Sequence, residues 1–166
     1  IVDLDGSRLP QGETGEIIIG GGRQQAFGYL MPDGTIDRLP EDGHHSGDLG
    51  YLDEDGHLLI TGRVKELIIR GGVNISPLEI DAVLISHPDV LEAGTIGVPH
   101  PIYGEEVMAY VACRPDKTLS AEELVTYCAA HLPEAKSPKE IRFLDELPKN
   151  QRGKLDRFAL QEQFSR

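Results

Sequence analysis

Asp48, Arg63, Lys154 and the Gly71-Gly72 pair are the residues whose types and spacing could do chemistry in this chain. Lys154 follows Gly153 in the polar stretch from Pro148 to Arg157. A lysine is a compact point charge on a flexible stem, suited to a phosphate or a carboxylate. The glycine before it lets the loop turn tightly and lets backbone approach a ligand. This reading expects Lys154 on a mobile, solvent-exposed glycine loop. The plain alternative is solvated surface. Ser46-Gly47-Asp48-Leu49-Gly50 puts a carboxylate in a glycine-flanked turn, where it could accept two hydrogen bonds from vicinal sugar hydroxyls. The plain alternative is an aspartate bonding its own backbone. Arg63 follows fifteen residues later, and an antiparallel return would bring it beside Asp48 to hold the carboxylate and reach the same sugar or phosphate. The plain alternative is a surface ion pair of little energetic value. Gly71-Gly72 is either a bend or bare backbone against which a narrow ligand could pass.

The elements that must position these residues change in style along the chain. Residues 1–62 are rich in glycine and β-formers. Glu16 to Ile19 is strand-like, and Gly20-Gly21-Gly22 ends it. Gly47 to Leu52 and His57 to Thr61 flank Asp55-Gly56, a strong hairpin signal. No helix signal occurs there. Beyond Gly62, Glu66 to Arg70 reads as a strand ending at Gly71-Gly72. Ser76-Pro77-Leu78-Glu79 is a capping box with proline at the first helical position, and Ile80, Val83 and Leu84 share a helix face. Val90 to Val98 and Glu106 to Cys113 read as paired strands. Ser120 to Glu123 is a second capping box, followed by Val125, Cys128, Ala129 and Leu132 at helical spacing. Ile141 to Leu144 is a short strand, and a last helix begins near Asp156. The expected architecture is α+β: a β-rich piece over 1–62, then a compact α+β domain over 63–166, with the boundary near Gly62–Glu66.

Composition limits the function classes. The 166 residues carry a net charge of −12 and are 39% apolar, enough to bury a core and unsuited to general nucleic-acid binding. The charge is uneven: residues 136–157 carry +3, leaving −15 elsewhere. A basic segment on an acidic chain fits a local anionic ligand, and equally a solvated face. No apolar run approaches the ~20 residues of a membrane helix. Cys113 and Cys128 show neither metal spacing nor a disulfide framework, which fits a reducing, cytoplasmic compartment. The six histidines form no zinc signature, and no metal site is expected in this stretch. The chain has no initiating methionine and is expected to be part of a longer protein.

The motifs together resemble one family. Gly47-Asp48, then Gly62-Arg63-x-Lys65-Glu66-x-Ile68-x-x-Gly71-Gly72-x-x-Ile75-x-Pro77-x-Glu79-Ile80, then Pro148 to Arg157 are similar, in this order, to the C-terminal end of the AMP-forming acyl-CoA synthetases. That superfamily includes peptide-synthetase adenylation domains and luciferases. Leu9-Pro10-x-Gly12-Glu13-x-Gly15-Glu16-Ile17 and Gly28-Tyr29-Leu30 match the end of its large N-terminal domain. The resemblance implies a ligase that converts a carboxylic acid and Mg-ATP to acyl-AMP and pyrophosphate, then transfers the acyl group to coenzyme A. It implies ribose contacts at Asp48 and Arg63, a hinge at Lys65, a pantetheine passage at Gly71 and Gly72, and adenylation by Lys154. It also implies that the Mg2+ site, the phosphate loop, the adenine contacts and the acyl pocket belong to an N-terminal domain preceding Ile1, so that this stretch alone should be inactive. Fatty acid metabolism is one expected setting. Rival readings are an adenylation domain loading a carrier protein and a non-catalytic paralogue serving as a binding module.

Overall fold

The structure, a computed structural model, describes residues 1–3, 5–20, 27–40 and 43–165. Gly21 and Gly22 of the expected break after the first strand lie outside the described residues. The chain divides into two units, Ile1–Lys65 and Glu66–Arg166.

In the first unit, β1 (Gly15–Ile19), β4 (His44–Leu52) and β5 (Leu58–Arg63) form an antiparallel sheet in the order β1-β4-β5. The turn between β4 and β5 follows from Asp53 and Gly56. Asp53 Oδ1 accepts the Asp55 and His57 amides at 3.0 and 2.8 Å. Gly56, at φ +82°, takes the left-handed position that a Cβ would disfavour. A separate hairpin, β2 (Gly28–Leu30) with β3 (Ile36–Arg38), has strands of three residues, too short to show a period of two.

The second unit is built on β9 (Gly104–Cys113). Antiparallel β8 (Val90–His100) pairs along one edge, while β10 (Glu140–Phe143), parallel, and β6 (Ile68–Arg70), antiparallel, take the other. β7 (Val73–Ile75) completes the sheet beside β6. Successive residues of a strand face opposite sides, and on β9 both sides are covered. Val107, Ala109 and Val111 join Ile80 and Leu84 of α1 (Pro77–Ile85) and Leu124 and Cys128 of α2 (Ala121–His131) in one core. Met108 and Tyr110 meet Ile96, Val98 and Leu160 of α3 (Arg157–Phe164) in another. Each fully buried leucine or isoleucine contributes roughly 1.5–3 kcal/mol by leaving water.

Three local expectations need correction. Ser120 and Glu123 form the full reciprocal capping box of α2, but the Ser76 side chain makes no cap bond at α1. Glu79, which would have closed that box, instead reaches Lys136 at 2.7 Å. A cross-sequence charge partner outcompetes the local bond. At α2 and its C-cap, Cys128 and Leu132 are buried and Val125 packs against the core as expected, but Leu124 joins them and Ala129 is exposed. β10 and α1 both pack against α2. Asp48, expected in a turn, lies inside β4.

α1 carries one buried acid that its amphipathic pattern conceals. Asp81 is 5% exposed. Its Oδ1 accepts the Thr95 amide at 2.7 Å, and its Oδ2 accepts from the Arg157 guanidinium. Burial pushes the carboxyl up to about 6, against the opposing pull of Arg157 and the Thr95 amide. The charged groups facing it are Arg157 of α3 and, across that guanidinium, Glu66. Between its ordinary pKa near 3.8 and about 6, the folded chain holds a proton that the unfolded chain has lost. Folded-state stability from this group therefore falls as pH rises through that window. Wild type should lose on the order of 2–3 kcal/mol relative to Asp81→Asn between pH 4 and pH 6.5, read by urea unfolding at each pH. A pH-independent difference would contradict the burial argument.

Candidate functional site

Asp48 and Arg63 are cross-strand partners on β4 and β5, with Arg63 Nε 3.0 Å from Asp48 Oδ1. Two irregularities flank Asp48. The β1–β4 register shifts between Glu16 and Ile18, and the β4–β5 register shifts between Leu49 and Gly50. Bulges of this kind re-aim side chains. Gly47, at φ +71°, makes the bend, and Glu16 holds it by accepting the Gly47 amide at 3.1 Å and contacting the His45 ring at 2.9 Å. The Asp48 amide bonds Ser46 Oγ at 3.0 Å. The Asp48 side chain is 27% exposed and that of Arg63 60%. The arginine thus fixes one carboxylate oxygen and leaves the other able to accept. The role of Glu16 escaped the sequence analysis, which placed it only in the first strand and in the Leu9 to Ile17 motif; its further signal is an acid within an otherwise apolar strand.

Lys65 is exposed, in a 3-10 turn spanning Val64–Glu66. Such turns are short, with poorer hydrogen-bond geometry than an α-helix. The division between the two units falls directly after it.

Gly71 and Gly72 link β6 to β7 as a two-residue hairpin, at φ +56° and +85°. Two positive φ values in sequence define the turn whose twist suits a hairpin, and glycine meets that demand at no steric cost. The bend alone therefore accounts for the pair. A Cβ on Gly71 would come 3.5 Å from the Tyr103 ring, whereas one on Gly72 would meet open space.

Lys154 is exposed, as expected, and lies in a closed hairpin. Lys149 and Leu155 pair as an antiparallel bridge, and the Asp156 amide donates to Pro148 O at 2.9 Å. The Asn150 side chain accepts the Arg152 and Lys154 amides at 2.9 and 3.1 Å. An asparagine at the head of a loop is the usual signal for such a turn. The basic segment around the hairpin is largely consumed by ion pairs. Lys136 pairs with Glu79, Lys139 with Glu134, Arg142 with Glu140, Lys149 with Glu92 and Glu146, and Arg157 with Asp81 and Glu66. Among the described residues, Arg152 and Lys154 are the segment's cations without an ion-pair partner. Both sit exposed on the hairpin, so the local positive field is concentrated at its tip.

This arrangement corresponds to a known family. Residues 79–154 match the model of the AMP-binding enzyme C-terminal domain. The chain carries the C-terminal domain of the AMP-binding enzymes. A sulfoacetate–CoA ligase of Cupriavidus necator is 45% identical over 161 residues, which cover 96% of this chain and 32% of that protein. An oxalate–CoA ligase of Saccharomyces cerevisiae is 38% identical over 169 residues, covering all of this chain and 31% of that protein. Among solved structures, the amide bond synthetase McbA of Marinactinospora thermotolerans superposes with a TM-score of 0.87 at 32% identity, covering 99% of this chain and 34% of that one. ATP-bound MatB of Rhodopseudomonas palustris gives 0.81 at 32% identity, covering 98% and 33%. The chain thus spans about a third of the length of the curated relatives it matches. AMP-binding enzymes of this kind have a mixed α+β C-terminal domain, as here.

Among the described residues, the one grouping of three metal-ligand side chains lies in the first unit, outside residues 79–154, and suits Mg2+ poorly, since that ion takes oxygen ligands in near-octahedral geometry. Asp53, Asp55 and His57 bring ligand atoms within 4.8 Å of one another. The Asp53 oxygens, however, already accept the Asp55 and His57 amides and contact the His57 ring at 3.2 Å. They shape the β4–β5 turn.

Because the β6–β7 turn demands positive φ at both positions, a bulky residue at Gly72 would confound obstruction with strain. Asparagine tolerates the left-handed region, so Gly72→Asn should keep the hairpin and add a side chain to the open space beside it. This variant should leave the melting temperature within about 3 °C, read by thermal unfolding. A larger drop would mean that the turn requires glycine itself at position 72.

Proposed function

We propose that this chain is the lid end of an AMP-forming acid–thiol ligase, with Lys154 supplying the charge for adenylation. The observation that carries the proposal is the hairpin. It presents an unpaired, exposed lysine from a segment whose other cations are nearly all ion-paired, within a chain that aligns along its whole length with CoA ligases.

In the first half-reaction a carboxylate oxygen attacks the α-phosphorus of ATP. The new P–O bond forms as the bond to pyrophosphate breaks. Anionic carboxylate and phosphate oxygens are brought together, and a preorganised cation stabilises the charge gathered between them. Lys154 holds that charge from the hairpin. The Asp48 carboxylate, braced by Arg63, accepts the ribose hydroxyls and orients the nucleotide. In the second half-reaction the thiol sulfur of coenzyme A attacks the acyl carbonyl. The C–O bond to AMP breaks, and the thiol proton passes to solvent. The lid must present different residues to each step, and the 3-10 turn at Lys65 is the proposed hinge, with Gly71 and Gly72 beside the pantetheine in the second pose. Mg2+ neutralises phosphate charge when bound and is assigned to the N-terminal domain of the complete enzyme. Free thiols at Cys113 and Cys128 fit a reducing, cytoplasmic setting.

The acid is left at the level of a carboxylate, because the named relatives act on chemically different acids. Fatty acid metabolism is one setting among these. A second reading, transfer to a carrier protein, is favoured by one relative. A fatty acid–[acyl-carrier-protein] ligase of Streptomyces coeruleorubidus is 36% identical over 164 residues. A full-length panel of carboxylates beginning with sulfoacetate and oxalate, with free coenzyme A and a carrier protein as competing acceptors, separates the two.

Lys154→Ala in the full-length enzyme should lower ATP–pyrophosphate exchange on the order of 10²–10³-fold, as loss of a positioned transition-state donor does. It should still turn pre-made acyl-AMP and coenzyme A into thioester. Normal exchange would remove the lysine, and with it the main reason for the adenylating assignment. Lys65→Pro should fix φ near −65° and slow thioester formation while comparatively sparing adenylation. Equal loss of both half-reactions would count against a hinge.

A further inference from the structure

Arg157 connects parts of the second unit that are far apart in sequence. It opens α3, whose N-cap is Asp156, and stands three residues after Lys154. Its side chain is 14% exposed. It bonds Asp81 Oδ2 of α1, donates from Nε to Thr95 O of β8 at 3.2 Å, and lies 3.5 Å from Glu66 Oε2 through Nη1. Glu66 is the residue immediately after Lys65 and the first of its unit. One planar fork therefore joins the stem of the Lys154 hairpin to the residue that follows the proposed hinge.

The fork's setting is rigid. Asp81 is held on its other oxygen by the Thr95 amide. The hairpin stem is held again by Leu155, whose side chain packs with Leu160 against the sheet. Gly94 on β8 leaves room for this packing: a Cβ there would lie 2.8 Å from Leu160 and 2.9 Å from Leu155. Apolar packing fixes the depth of the hairpin, and the guanidinium fixes its register along β8. An arginine suits this task because five donors in one plane can meet three acceptors from different elements at once. A buried ion pair adds little net stability compared with apolar residues of the same shape. Its better-attested use is to specify one arrangement among several.

We infer that Arg157 is a positioning residue for adenylation, which through Asp81 and Glu66 keeps the Lys154 hairpin in fixed register with the first residue of the lid. The inference rests on the proposed role of Lys154. It requires that loosening the fork displace the lysine without unfolding the lid, and a displacement of about 1 Å in a reacting geometry can cost on the order of 10²-fold in rate.

The test is made in the full-length enzyme. Arg157→Gln should lower the kcat of acyl-AMP formation about tenfold or more. The KM for ATP and thioester formation from pre-made acyl-AMP should stay within about twofold. Arg157→Lys should recover part of the kcat, since it keeps the charge and loses the fork. Independently of any substrate, Arg157→Gln should raise amide hydrogen exchange at residues 149–155 about tenfold or more, with exchange in β9 unchanged. If Arg157→Gln does not fold, Glu66→Gln serves, because Glu66 is half-exposed. It should show the same selective loss at smaller amplitude. Equal loss of both half-reactions, full adenylation activity, or unchanged exchange at 149–155 overturns the inference. Lys154→Ala measured alongside separates the two readings. If Lys154→Ala is crippled in adenylation and Arg157→Gln is not, only the positioning role fails. If Lys154→Ala adenylates normally, both fail.

Discussion

The second unit depends on β9 being buried on both faces. A strand with one wet face must alternate, but β9 reads Val107-Met-Ala-Tyr-Val-Ala112 with every residue buried. That permits α1 and α2 to pack on one side and α3 on the other. α3 would otherwise have only Leu160 as its fully buried anchor. Since α3 begins where the Lys154 hairpin ends, the position of the lysine derives from a sheet that is covered twice. A polar residue at Met108 or Tyr110 would loosen the α3 side while leaving α1 and α2 in place. That asymmetry separates the hairpin's support from the main core.

Electrostatics act on top of this packing, and they act by removal. A segment with seven cations looks like a binding surface for any anion. Glutamates and aspartates drawn from 3-10-turn, helix, strand and loop positions neutralise five of the seven. Most of these pairs are exposed, and each contributes little to stability. Their effect is on where charge remains. A broad basic stripe would favour polyanions without discrimination. Two unpaired cations at the tip of a hydrogen-bonded hairpin favour a small anion that the tip can reach.

The elements written in local chemistry were legible in the sequence. The β4–β5 turn followed from Asp55-Gly56, the α2 cap from Ser120 and Glu123, the start of α3 from Asp156, and the β8–β9 pair from two neighbouring apolar runs. The Arg63–Asp48 contact followed from hairpin spacing alone. What was hidden depends on partners distant in sequence. Glu79 left its cap for Lys136, 57 positions away. Asp81 finds Arg157 76 positions away. In both cases a short-range rule was correct about what the residue could do and wrong about which partner prevailed. The β2–β3 hairpin was hidden for a different reason, since three residues are too few to show a period. The closure of the hairpin at Lys154 was hidden because glycine was weighed and the Asn150 side chain was not.

On the proposed reading, the exposure of Lys154 has an energetic logic. An ammonium group resting in water is fully solvated. Carrying it into a water-poor site costs hydration, which only a nearby anion can offset. Two reacting anions forced together provide more negative charge at one point than either does alone, so the offset is greatest at the transition state of the first half-reaction. A lysine with a strong partner in the lid would have to break that pair first, and the same energy would be subtracted from catalysis. The hairpin therefore has two demands that oppose each other: a cation without a partner and a backbone without freedom. Asn150 and the Lys149–Leu155 bridge meet the second without touching the first, because they bond only backbone amides and carbonyls. Arg157 extends the same division of labour. It spends its own charge on Asp81 and Glu66, so that the lysine three residues earlier can keep its charge unspent.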